Sequence, residues 1–160
     1  MRPVAVILLV CFLALAGTAG YLYMTANVYI TDIDCVAEDA GNQPALFAEL
    51  KERLQANSFT GIAFDPSGMG EAQDCQFYTY TVRLRNDSFV EARVAEIQVF
   101  PAGRDILQMP EEQESSIPAR GTGEIQARIL TGKDMHNVRE MMITYYLWGL
   151  PFSMRTTYSK

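Results

Sequence analysis

Apolar and polar positions alternate through residues 75–86. Tyr78, Tyr80, Val82 and Leu84 fall on one face, and Thr79, Thr81, Arg83 and Arg85 on the other. A period of two predicts a strand with one buried and one wet face, and its aromatic and β-branched residues suit a pleated surface. Asn86-Asp87-Ser88 interrupts the pattern with turn chemistry. Val94, Ile97 and Val99 then mark a second strand, which Pro101-Ala102-Gly103 closes. These two strands are expected to form the central antiparallel pair of a sandwich. Residues 27–37 predict an earlier strand through Val28, Ile30, Ile33 and Val36. Residues 123–130 predict a later one, with Ile125, Ala127 and Ile129 inward and Glu124, Gln126 and Arg128 outward. Residues 141–148 give the last long strand. Gly149-Leu150-Pro151 bends it, and residues 152–158 are expected to continue it past a bulge. Residues 60–64 predict a short strand and residues 105–109 a short apolar segment.

A helical period occurs over residues 44–56. Leu46, Phe47, Leu50 and Leu54 share a face, Glu49 and Arg53 stand four apart on the wet side, and Pro44 suits the first helical position. This helix is expected to lay its stripe across one end or edge of the sandwich. Residues 65–71 and 110–116 read as loops, residues 131–134 as a turn and residues 135–140 as a helical turn. About seven short strands separated by turns predict a mainly β chain, an immunoglobulin-like antiparallel β-sandwich with one inserted amphipathic helix. No strand–helix alternation suggests a parallel sheet.

The pattern differs at the N-terminus. From Pro3 to Met24 there is no charge at all, and about 20 apolar residues suffice to cross a bilayer as a helix. Tyr21 and Tyr23 stand where an interfacial aromatic belt belongs, and Arg2 places positive charge on the cytoplasmic side. Residues 1–25 therefore read as a signal anchor and transmembrane helix, and residues 26–160 as an extracytoplasmic domain of a single-pass cell-membrane protein. Small residues at Ala14-Leu15-Ala16 and Gly17-Thr18-Ala19 also fit a cleaved signal peptide, which would leave a secreted soluble domain. Lipoprotein processing at Cys11 is disfavoured by the bulky Val10. Every reading exports the domain.

A net charge of −6 repels phosphate backbones and argues against nucleic acid as a partner. It also leaves the apolar N-terminus as the membrane contact. Of three cysteines, Cys11 belongs to the N-terminal helix. Export makes a Cys35–Cys75 disulfide the expectation, bridging the first strand to the central one, and a loop of that length would add about 4 kcal/mol. Two free buried thiols are the alternative.

Chemistry-bearing constellations are sparse. His136 is the sole histidine, and no Gly-x-Ser-x-Gly elbow accompanies it. An envelope enzyme pairing His136 with a carboxylate is the alternative to a non-catalytic domain. Cys35, Cys75, His136 and a carboxylate would make a zinc set only in a reducing compartment. Gly132-Lys133 lacks the upstream glycine of a phosphate loop, and Gly121-Thr122-Gly123 opens a strand where a dinucleotide fingerprint opens a helix. Asp32, Asp34, Glu38 and Asp39 are one acidic group, and Glu111, Glu112 and Glu114 another. Neither has the spacing of a calcium loop, and both read as solvated surface. No catalytic residue, metal or cofactor is assigned. Near the C-terminus, Tyr146 and Trp148 share one face of their strand and Tyr145 and Leu147 the other. If the first face stays exposed, it would be an adhesive patch for a partner or a sugar ring; a strand buried on both faces, by the sandwich and the helix, is the plainer reading.

Two segments carry a family resemblance. Tyr80-Thr-Val-Arg-Leu-Arg-Asn86-Asp-Ser88 resembles the strand ending in Asn-x-Ser of the FxLYD and late-embryogenesis-abundant water-stress domains. Ile117-Pro-Ala-Arg-Gly121-Thr-Gly-Glu-Ile-Gln-Ala127 resembles their later turn into a strand. The resemblance covers residues 77–130 and implies a small exported immunoglobulin-like sandwich without catalytic residues. The helix over 44–56 and the two cysteines depart from that pattern. The functional expectation is a non-catalytic binding or structural module at the cell envelope, meeting an envelope protein or polysaccharide through loop 65–74, loop 110–116 or the Tyr146/Trp148 face. A pilus-like subunit is disfavoured, because the apolar segment lacks that processing site.

Overall fold

In the computed structural model, which describes residues 2–110 and 115–159, nine strands form two antiparallel sheets. The first sheet runs β1 (Val28–Asp39), β3 (Cys75–Asn86), β7 (Thr122–Gly132), β5 (Asp105–Gln108), β2 (Ile62–Ala63). The second runs β6 (Ser115–Ile117), β4 (Ala92–Val99), β8 (Arg139–Leu147), β9 (Leu150–Tyr158). They pack face to face as a β-sandwich. The predicted alternation sets what lies between them: Tyr80, Val82 and Leu84 of β3 meet Ile125, Ala127 and Ile129 of β7 and, across the gap, Val94, Ile97, Met141, Ile143 and Leu147. Burying such side chains contributes about 1.5–3 kcal/mol each.

The predicted central pair is corrected. β3 and β4 do not pair; the chain crosses from one sheet to the other between them. Asn86 organises that crossing. It is fully buried, and its amide nitrogen donates to the carbonyls of Val90, Ile117 and Pro118 at 2.7, 3.1 and 3.1 Å. Its side-chain oxygen accepts from the Ser88 backbone N–H at 2.9 Å. One side chain thereby joins the β3–β4 and β6–β7 crossings.

Two bulges explain irregular spacing in the sequence. Ile30 and Ile33, three apart, both face the core because the β1–β3 register slips between Ile30 and Asp32. Val94 and Ile97 both do so because β4 slips against β8 between Val94 and Glu96. The expected bulge after Trp148 is instead a tight hairpin. Leu147 pairs with Leu150, and the two turn residues, Trp148 and Gly149, have φ of 52° and 77°. Residues 152–158 therefore run back along β8. Two-residue hairpins want both central residues at positive φ, which is why Asn-Gly is their usual sequence.

The other face of β3 builds a second core. Cys75 and Phe77, with Leu130 and Leu107, are covered by Phe47 and Leu50 of α2 (Pro44–Gln55). The helix therefore packs on the outer face of the first sheet, over the end where β3 begins. The Arg53–Glu49 pair closes at 2.6 Å, half exposed on its wet side. α1 spans Arg2–Met24, and only Thr25, Ala26 and Asn27 separate it from β1. Its 22 residues from Pro3 to Met24 are long and apolar enough to cross a membrane, and none is buried in the protein.

The two ends of the sandwich differ. The near end, where α1 joins, holds the start of β1, the 87–91 and 118–121 connections and the Trp148-Gly149 hairpin. The far end holds α2, loop 65–74 and the turns 100–104 and 133–138.

Candidate functional site

A groove of about 550 Å³ opens at the far end. Register explains it. β5 and β7 are antiparallel neighbours with Asp105 opposite Thr131, so the turn before β5 and the turn after β7 lie side by side. They supply Gly103 and Arg104 on one side and Gly132, Lys133 and Asp134 on the other, and loop 65–74 closes the groove with Asp65 and Asp74.

Each wall is held by backbone. The Arg104 carbonyl accepts from Gly132 N–H at 3.0 Å and from the Thr131 hydroxyl at 3.2 Å. Lys133 N–H donates to the Asp74 carbonyl at 2.8 Å. The Ile106 carbonyl accepts from the Phe64 and Asp65 N–H groups at 2.9 and 3.1 Å, and Lys51 of α2 donates to the Gly70 carbonyl at 3.2 Å. The glycine at 61, beside β2, is required: a Cβ there would lie 2.2 Å from the Gln108 carbonyl. Gly132 leaves room for the Arg104 guanidinium, which a Cβ would meet at 3.0 Å.

The groove carries both signs of charge. Lys133 is committed, with its ammonium 2.6 Å from the Asp39 carboxylate and 3.0 Å from the Gln73 carbonyl. That pairing raises the Lys133 pKa and lowers that of Asp39. Among the described residues no hydrogen bond or ion pair engages the Arg104 guanidinium or the Asp134 carboxylate. No aromatic ring lines the groove.

No family model matches this chain, and no curated protein matches it. What the site can do is therefore read from its own residues.

The residues singled out in the sequence are dispersed. Cys35 and Cys75 are free thiols, and the expected disulfide is not formed. Cys35 pairs in register with Tyr80, five residues along β3 from Cys75, about 17 Å at strand rise. A bridge needs Cα atoms within about 7 Å. The two side chains also point to opposite faces, Cys35 into the main core and Cys75 under α2. Burial pushes the Cys35 thiol up to about 11 and raises that of Cys75.

Tyr146 and Trp148 do not share a strand face. Tyr146 is exposed on β8, while Trp148 leaves the strand for the hairpin turn and packs against the main core. His136 is exposed on the β7–β8 connection, outside the groove. The predicted helical turn there is irregular chain, and neighbouring side chains take its carbonyls. Tyr78 donates to Met135, Tyr80 to Asn137 at 2.9 Å, and Arg139 to His136 and Val138 at 2.8 and 2.7 Å. The first acidic group faces cations: Asp32 meets Arg83 at 2.9 Å, Glu38 meets Arg128 at 3.4 Å and Asp39 meets Lys133. Among the described residues no three His, Cys, Asp or Glu side chains gather as a metal would require. Glu111, Glu112 and Glu114 lie outside the described residues.

Sequence reasoning named loop 65–74 but missed Arg104 and Asp134. The signal was available: turn residues flank both strands of what becomes one antiparallel pair.

Proposed function

We propose that this protein is a membrane-anchored, extracytoplasmic, non-catalytic β-sandwich that binds a polypeptide partner of the cell envelope through its far-end groove. The carrying observation is the placement of a charged groove at the end opposite the apolar helix. α1 supports the anchor: it is long and apolar enough to span, and its apolar window is not buried in the protein. The immunoglobulin-like type of the sandwich belongs to the same reading, as does its kinship with exported FxLYD-like domains, supported by the role of Asn86 and Ser88 at the sheet crossing. Loops held at the end of a rigid sandwich commonly serve recognition.

The lining favours a polypeptide over a polysaccharide. An uncommitted guanidinium suits a carboxylate or a peptide carbonyl, the Asp134 carboxylate suits an amide or ammonium donor, and the aromatic platform useful to a sugar ring is absent from the groove. A photo-crosslinker at Gly103 in intact cells tests the reading. It should capture one protein, and Arg104→Glu should reduce that capture at least about tenfold, as losing a charge-assisted contact would. Equal capture in the Arg104→Glu variant overturns the groove. A C-terminal tag that external protease cannot reach until lysis overturns the topology.

A further inference from the structure

We propose that the near end of the sandwich is seated in the bilayer interface, with the β8–β9 hairpin tip and the Phe89 loop as its wedge. The proposal rests on α1 being retained as the anchor.

Of the large apolar residues exposed on the described domain, Tyr29, Phe89, Tyr146 and Leu150 lie at the end where α1 joins, and Val36 and Val138 lie away from it. Phe89 is 56% exposed and Leu150 52%. Both flank the connections of the near end, beside Trp148 and the exposed Tyr146. A solvated loop tip gains nothing from such residues. The hairpin makes the same point through its backbone. An Asn-Gly turn would satisfy positive φ without strain, yet the first position holds tryptophan at φ 52°. One side of Trp148 packs against the main core, and the part left exposed suits a water–lipid boundary.

Height fixes the occupant as lipid. Tyr23, next to last in α1, contacts the Phe152 ring with centroids 5.9 Å apart, and Phe152 stacks on Tyr145 at 5.6 Å. A ring touching the last turn of a spanning helix stands at the membrane surface. The hairpin tip lies three residues beyond Phe152, about 10 Å along the strand, which matches the roughly 5–10 Å to which interfacial side chains enter a bilayer. The connection of three residues, Thr25 to Asn27, leaves no slack to lift this end away.

Charge agrees. The domain is acidic, but its near end carries Arg85, Arg93 and Arg120 against Asp87 and Glu91. Arg120 lies 4.2 Å over the Phe89 ring, with a guanidinium where lipid phosphate would be.

Trp148 is the only tryptophan, so it reports its own surroundings. The full-length protein is reconstituted into phosphatidylcholine vesicles containing some phosphatidylglycerol, with or without bromine on the acyl chains near the headgroup. Brominated lipid should remove about half of the Trp148 emission, and aqueous iodide should remove little. Phe89→Asp with Leu150→Asp, both at exposed positions, should cut the bromine quenching at least about twofold without releasing the protein from vesicles. If the protein floats with vesicles while bromine leaves the Trp148 emission unchanged, docking is overturned and the anchor stands. If the protein does not float with vesicles, the anchored reading fails, and the proposal fails with it.

Discussion

The two cysteines show how one residue's register decides its chemistry. Cys35 and Cys75 sit on neighbouring strands but on opposite faces and five residues out of step. The unreduced, denatured protein should therefore expose both thiols to alkylation, as peptide mass mapping would show; an intact Cys35–Cys75 bridge would contradict this register. In the native state Cys35 should resist iodoacetamide at pH 8, because burial holds it protonated. The sign for stability follows. Unfolding returns Cys35 from about 11 to its ordinary 9.0, so the unfolded chain holds fewer protons between those values, and stability is lost as pH rises through that window. Tyr80, whose pKa burial also raises, acts in the same direction. Thermal melts from pH 8 to 11 should fall steadily, and a flat profile would count against it. Asn86 is the other decisive residue. Replacing it with Ala strands three carbonyl partners in a buried crossing and should cost about 3 kcal/mol by chemical denaturation. A loss below about 1 kcal/mol would mean that the crossing is held elsewhere.

At the scale of elements, one short strand does unexpected work. β5 has four residues, all buried, and two of them are polar bridges to the opposite sheet. Asp105 takes a bidentate pair from Arg139 of β8 at 2.6 and 2.7 Å, both side chains within the core. Gln108 accepts from the Val99 N–H of β4 at 2.9 Å and donates to the Ile97 carbonyl. Arg139→Met should cost about 3–5 kcal/mol, because it leaves the Asp105 carboxylate buried and unpaired, whereas Arg139→Met with Asp105→Leu should recover most of that loss. Urea denaturation of the four members of the cycle measures it, and additive losses would show that the pair is not coupled. This bridge was not legible in the sequence, where residues 105–109 read as a short apolar segment. What was legible shared one property: it depended on period alone. The helix at 44–56 and the strand at 123–130 pack as their spacing indicates, and the strand at 75–86 buries its expected core face, while its other face, expected wet, is covered at Cys75 and Phe77 by α2. Sheet membership, the Trp148 hairpin and the Arg104–Asp134 pairing of turns depend on which strands become neighbours, and no local pattern records that. Trp148 misled for a further reason: its alternation with Tyr146 continues one residue past the end of β8, and the left-handed backbone that turns it away is a choice few tryptophans make.

At the scale of the whole molecule, the chain is a column with different chemistry at its two ends, an apolar helix and exposed rings at one and a charged groove at the other. β3 runs nearly the full length, its last residue beside the start of β1 and its first beside the groove turns. Twelve residues of strand measure about 40 Å, and the connection from α1 adds at most about 10 Å when fully stretched. In the anchored protein that we propose, the groove is thus carried at a nearly constant altitude above the lipid. A partner must offer its complementary surface at that altitude or stay unbound, however well the chemistry fits. The brevity of Thr25-Ala26-Asn27 would then select among partners by stature, a kind of specificity written in no side chain of the groove.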